Sequence, residues 1–221
     1  QVMWSSEVTN MIIAGIGETL YMTLVSTIAG YIIGLPMGIV LTVSDKDGIR
    51  PNSFIYKIID VIVKIVRSIP FIILLVLLIP FTRFLVGKSY GSTATIVPLV
   101  VAAAPYIARM VESSLKEVDA GVIEAARSMG ASDFDIVTKV LLVEARTSLL
   151  VGATISLGTI LGYSAMSGAV GGGGLGAIAI RYGYTRWQTD IMIVTVVLLV
   201  VLFQIFQTIG MKTADKFDHR K

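Results

Sequence analysis

Long apolar runs separated by short polar stretches dominate the chain. They recur five times, at approximately residues 18–43, 58–80, 93–113, 148–169 and 189–211. About 20 apolar residues at a rise of about 1.5 Å cross a hydrocarbon core of roughly 30 Å, so each run is long enough for a transmembrane helix. The pattern predicts an all-α integral membrane protein with five spans. A single transmembrane domain covers residues 1–221, with one long polar loop at about 114–147.

Within the first run Gly30, Gly34 and Gly38 recur every fourth residue, and Gly158 and Gly162 repeat the spacing in the fourth. Residues four apart share a helical face, and a stripe of small ones lets backbones approach where lipid supplies no hydrophobic drive. Pro36, Pro70, Pro98 and Pro105 also fall inside runs. Each frees a carbonyl that a neighbouring helix or a wet cavity must satisfy, which fits a transport pathway better than a passive anchor.

Charge orients the chain. Lys46, Arg50, Lys57, Arg109, Lys116, Arg127, Lys139, Arg146, Lys212, Lys216, Arg220 and Lys221 collect on one side of the five spans, against Arg83, Lys88, Arg181 and Arg186 on the other. The positive-inside rule then puts the N-terminus outside and the C-terminus in the cytoplasm. No cleavable signal peptide is expected, since the first run lacks a basic leader and a cleavage site. The chain opens at Gln1, and a natural start upstream of it is expected.

Only 15% of the residues are charged and 55% are hydrophobic, against about a quarter charged in soluble domains. There are no cysteines, and the one histidine, His219, stands in the charged tail. Disulfides, thiol catalysis, a histidine metal site and a catalytic triad all lack their parts, so neither a catalytic residue nor a metal ligand is expected. Gly171, Gly173 and Gly176 match G-x-G-x-x-G, but no strand precedes them, and the match reads as chance within a flexible loop. No G-x-x-x-x-G-K-[ST] occurs, so this chain is not expected to hydrolyse ATP.

Asp60, Lys64 and Arg67 share one face of the second run. Asp60 and Lys64 can pair along the helix or snorkel to the headgroups, while Arg67, followed by Ser68, Ile69 and Pro70, lies deeper and is a pathway candidate. In the fourth run Tyr163, Ser164, Met166 and Ser167 set polar and polarizable groups near the outer end, with Tyr163 and Ser167 on one face. A thioether could slide past Met166 on weak dispersion contacts, although ordinary helix packing explains that residue equally well.

The polar loop reads EVDAGVIEAARSMGASDFDIVTKVLLVEA from Glu117. Asp119 is placed to cap a helix running to about Met129, with Gly130 as a left-handed stop. Ser132 can cap a second helix, with Asp135 at capping-box spacing and Phe134, Val137 and Leu141 on one side. A DNA-binding helix-turn-helix has the same outline. However, Asp133 and Asp135 would repel phosphate, and the segment is tethered between membrane spans, so no nucleic-acid partner is expected.

Glu124, Ala125, Ala126 and Gly130, followed by Leu142, resemble the signature loop of permeases from bacterial ATP-binding-cassette importers. Val143 stands where that family usually has proline, so the second helix is expected to run into the fourth span without a kink. The segments from Arg67 (RSIPFIILL), Ile79 (IPFTR), Ala104 (APYIARMVE) and Gly162 (GYSAMSGAV) resemble the methionine-importer permeases in particular.

The resemblance implies a homodimer in the bacterial inner membrane, bound to two cytoplasmic ATPase subunits and served by an extracytoplasmic binding protein or lipoprotein. ATP and magnesium would belong to the ATPase, with no cofactor in this chain. Glu124, Ala125, Ala126, Met129 and Gly130 would form the coupling contact, with the small residues and Met129 offered to the ATPase. The substrate would be methionine, the L form with D as a further candidate, moved by alternating access. Another solute for the same permease, or a stand-alone channel or carrier, is the competing reading. A carrier usually needs more spans or internal repeats, a channel a filter motif or acidic ring, and a membrane enzyme paired carboxylates.

Overall fold

The computed structural model describes residues 6–217; His219, Arg220 and Lys221 lie outside the described residues. Every regular element among those described is helical. The chain begins with α1 (Ser6–Ser44), α2 (Ser53–Ser68), α3 (Phe71–Leu77), α4 (Ile79–Val86) and α5 (Ser92–Leu115). The polar segment folds as α6 (Ala120–Ser128), α7 (Asp133–Asp135), a π-helical stretch (Ile136–Leu141) and α8 (Leu142–Glu144). It leads into α9 (Arg146–Ser167), α10 (Gly174–Ile178), a second π-helical stretch (Ala179–Tyr184) and α11 (Thr189–Lys216).

Among the described residues, four helical stretches are long and apolar enough to cross a bilayer: Ser6–Ser44, Ser92–Leu115, Arg146–Tyr184 and Thr189–Lys216. The run at 58–80 is not one helix. Pro70 drives the preceding residue out of the helical region, and Ile69 sits at φ −85°, ψ 122°. The run therefore divides into α2, α3 and the start of α4. Pro36, Pro98 and Pro105 lie inside α1 and α5 without ending them.

The close approach of α1 and α5 makes the centre of the fold. A Cβ on Gly34 would stand 2.6 Å from the Ala104 carbonyl oxygen, and one on Gly38 2.6 Å from that of Ala108. A Cβ on Gly30 would instead stand 2.9 Å from the Ala103 Cβ. Met22, Leu99, Ile107, Val111 and Ile160 are buried around this contact, and their attraction is dispersion between well-fitted surfaces. In α9 the two glycines part company. Gly158 faces Phe203 of α11, whereas Gly162 has nothing within 4 Å, so the expected second stripe is not formed within this chain.

The glycine-rich segment before α10 is not a free loop, contrary to expectation. Gly171, Gly173 and Gly174 take positive φ, and the segment is fastened on two sides. From α5, the Thr95 hydroxyl donates to the Gly172 carbonyl at 3.2 Å, and the Gly91 N–H ahead of the helix donates to Gly171 at 2.8 Å. From α1, the Glu18 carboxylate accepts the Gly174 N–H at 2.6 Å and the Thr19 hydroxyl accepts the Leu175 N–H at 2.9 Å. Two α1 side chains thus satisfy the first N–H groups of α10.

Candidate functional site

The α6 segment is built as its capping residues dictate. Asp119 accepts the Gly121 N–H at 2.7 Å. At the other end Ala131 N–H donates to Ala126 and Gly130 N–H to Arg127, with Gly130 at φ 82°, which is the Schellman arrangement. Ser132 accepts the Asp135 N–H and donates to its carboxylate. Lys139, with Ser132 adding, holds the Asp135 carboxyl below the ordinary carboxylate range.

What α6 and α7 offer to solvent differs from expectation at one position each. Ala125 and Met129 point outward, Met129 being 82% exposed, but Ala126 is buried, 6% exposed, and forms part of the base. Phe134 is 75% exposed; the inner face after α6 is made by Ile136 and Leu141, with Val137 half-buried. Glu124 is exposed beside Ala125. With valine at 143, the backbone stays helical through Leu142 and breaks only slightly at Ala145, φ −80°, ψ 0°. Beside α6 lies a groove of about 840 Å³, walled by Glu117, Val122, Glu144, Arg146 and Phe217 among others.

A continuous chain of ion pairs runs along the same end of the molecule. Asp45 meets Lys116 at 2.5 Å, Lys116 meets Glu112 at 2.8 Å, and Glu112 meets Arg109 at 2.6 Å. Arg109 then meets Asp60 at 2.6 Å, and Asp60 meets Lys64 at 2.7 Å. The Tyr56 hydroxyl donates to Glu112 at 3.3 Å. The hydrogen bond from Lys116 holds the Asp45 carboxyl below its ordinary range. Burial pulls Lys116 down, but Asp45 and Glu112 outweigh it and hold the ammonium above the ordinary lysine value.

Pairing of Asp60 with Lys64 was legible from the sequence; the larger network was not. Arg109 and Glu112 on α5 and Lys116 just past its end stand at i, i+3 and i+7, and that helical spacing was the available signal. Among the described residues no group of His, Asp and Glu is arranged to hold a metal ion.

The remaining site candidates divide into two sets. Arg67, Ser68 and Met166 are exposed, and the Arg67 guanidinium lies 5.9 Å from the Tyr106 ring, a neighbour the sequence reading did not name. Tyr163, Ser164 and Ser167 are turned into the fold. Tyr163 stacks on Phe71 at 4.6 Å between centroids, and the Ser164 and Ser167 hydroxyls donate to the Leu161 and Ser164 carbonyls. Met166 is therefore not joined by the polar groups that flank it in sequence.

Comparison with known proteins bears on the fold and on the family of the chain. A chain of the inward-facing MetNI methionine ABC transporter is 49% identical, with a TM-score of 0.95, covering 97% of this chain and all of that one. A probable D-methionine transport system permease protein MetI of Vibrio cholerae is 45% identical over 217 residues, 98% of this chain and 96% of the relative. The D-methionine transport system permease protein MetI of Escherichia coli is 54% identical over 158 residues, 72% of this chain and 73% of the relative. Residues 30–211 match the binding-protein-dependent transport system inner membrane component, and the chain belongs to that family of permeases.

Proposed function

We propose that this chain is the membrane subunit of an ATP-binding-cassette importer for methionine, and that α6 is where a partner ATPase grips it. The observation that carries the reading is α6 itself. A short helix capped at both ends presents Ala125 and Met129 outward, while Ala126 and Arg127 fix it to the body below. Small and apolar outward groups on a rigid base suit a helix that must seat in another protein's groove.

The topology proposed is five crossings with the N-terminus outside. α1, α5, α9 and α11 supply four, and the broken pair α2–α3 supplies the fifth. The excess of lysine and arginine at the α6 end supports a cytoplasmic position for that end. Two copies of the chain would enclose the pathway, each bound to one ATPase subunit that holds ATP and magnesium. A binding protein would deliver substrate from outside, and alternating access would release it inward. Relatives named for D-methionine transport support that substrate, with L-methionine proposed beside it. Arg67, exposed beside Tyr106, would steer a carboxylate, and the exposed Met166 would line the path.

Uptake competition in cells carrying only this importer tests the proposal. Either enantiomer of methionine competes at low excess, while lysine and glutamate do not. Strong inhibition by a charged amino acid with none by methionine refutes the substrate. Failure of the chain to co-purify with an ATPase refutes the class.

A further inference from the structure

The ion-pair chain is built for direction more than for net stability. Glu112 is 3% exposed and the Asp60 side chain 12%. Buried pairs of this kind often stabilise no more than apolar packing would, yet removing one partner leaves a costly unpaired charge. Arg109 sits in the middle. One guanidinium nitrogen meets Glu112 on its own helix and the other meets Asp60 on α2, both at 2.6 Å. Its planar fork fixes the two carboxylates relative to each other in a way a lysine cannot.

The two ends of the network give it a mechanical meaning. Lys116 directly follows α5 at the start of the α6 segment and reaches Asp45, in the turn between α1 and α2. That same turn is held from α6, because Arg127 donates to the Ile49 carbonyl at 2.8 Å. At the far end, Asp60 and Lys64 stand on α2, whose last turn leads through Arg67 into the break at Ile69 and Pro70. Along α2 the backbone is a stiff hydrogen-bonded rod; across Ile69 it is not.

We propose that Arg109 is a positioning residue that joins α2, α5 and the α1–α2 turn into one lever. Displacement of α6 then arrives at the Ile69–Pro70 joint instead of dissipating in side-chain rearrangement. The proposal rests on α6 being the ATPase contact and adds the route by which its movement reaches the spans.

The test uses Asp60→Asn and Arg109→Lys, each close in shape to the native residue, in the full complex with ATPase and binding protein. Methionine moved per ATP hydrolysed falls by about three- to tenfold in both, with complex yield unchanged. A ratio within about twofold of the unaltered protein in both variants overturns the proposal. So does failure of both to assemble, since the charges would then serve folding alone. In the permease by itself, amide exchange across Ile69–Leu74 is faster by about tenfold in both variants. Unchanged exchange there also overturns the lever, whereas an unaltered complex that moves no methionine refutes the functional reading and leaves the exchange result standing.

Discussion

Gly34→Ala offers a clean measure of how tightly the centre is built. The new Cβ would lie 2.6 Å from the Ala104 carbonyl oxygen and 2.8 Å from Ile107 Cβ, inside the 3.4 Å onset of ordinary contact by about 0.8 Å. The nearest atom is backbone of α5, so no side-chain rotation relieves it, and two long helices must separate locally. Overpacking of this size costs about 1–3 kcal/mol. Gly17→Ala is the matched control. It lies in the same helix with nothing within 4 Å, so it carries only the gain of about 1 kcal/mol from replacing a helical glycine. Both substitutions share that gain, and the difference between them isolates the contact. In a chain of this size each kcal/mol moves the thermal midpoint by about 2–4 °C, so Gly34→Ala should unfold roughly 2–12 °C below Gly17→Ala. Thermal unfolding of the two purified variants in the same detergent decides it. Equal midpoints would mean that α1 and α5 are not held at this distance.

Ala125→Trp should abolish association with the ATPase in a pull-down while leaving the thermal midpoint unchanged, whereas Ala126→Trp should lower the midpoint because that residue is buried. Glu18→Gln weakens the charge-assisted bond to the Gly174 N–H, a loss of about 1–2 kcal/mol, and amide exchange at Gly174 and Leu175 should quicken accordingly. Asp45 has a lowered pKa in the folded chain, so its contribution is present above the ordinary carboxylate range and is lost as pH falls through the lowered value. The Lys116 contribution is lost only as pH rises through its raised value, above the ordinary lysine range. The midpoint difference between the native protein and Asp45→Asn should therefore shrink on acidification from about pH 6 to pH 3; a constant difference refutes the tie.

Local chemistry carried much of this architecture into the sequence. Asp119, Gly130 and Ser132 each act through their nearest neighbours, and the structure has them as caps and stop. The four proline positions look alike on paper but behave differently. Pro70 ends α2 by pushing Ile69 into the extended region, while Pro36, Pro98 and Pro105 are absorbed within α1 and α5, and proline positions alone do not tell the two outcomes apart. Alternation along α6 could not separate Ala125 from Ala126, because alanine is equally at home on either face of a helix. The cross-helix partner of Arg109, Asp60, lies 49 residues away, so periodicity gave a face but not what meets it. Ser164 and Ser167 read as polar groups free for a substrate, yet backbone carbonyls one turn back already hold their hydroxyls.

The length of α1 has a consequence for the bilayer. Its 39 residues span about 58 Å, close to twice the roughly 30 Å of hydrocarbon available. Fitting all of it inside would require a tilt near 60°, well past the range of about 0–40° that membrane helices adopt. One end of the rod must stand clear. The Ser6–Gly17 end is tied down there, since Ile12 is clustered with Leu175, Ile178 and Ile191. The rod can therefore meet hydrophobic mismatch along its own length: a thicker membrane covers more of the same helix, and the protein changes the level at which it rides.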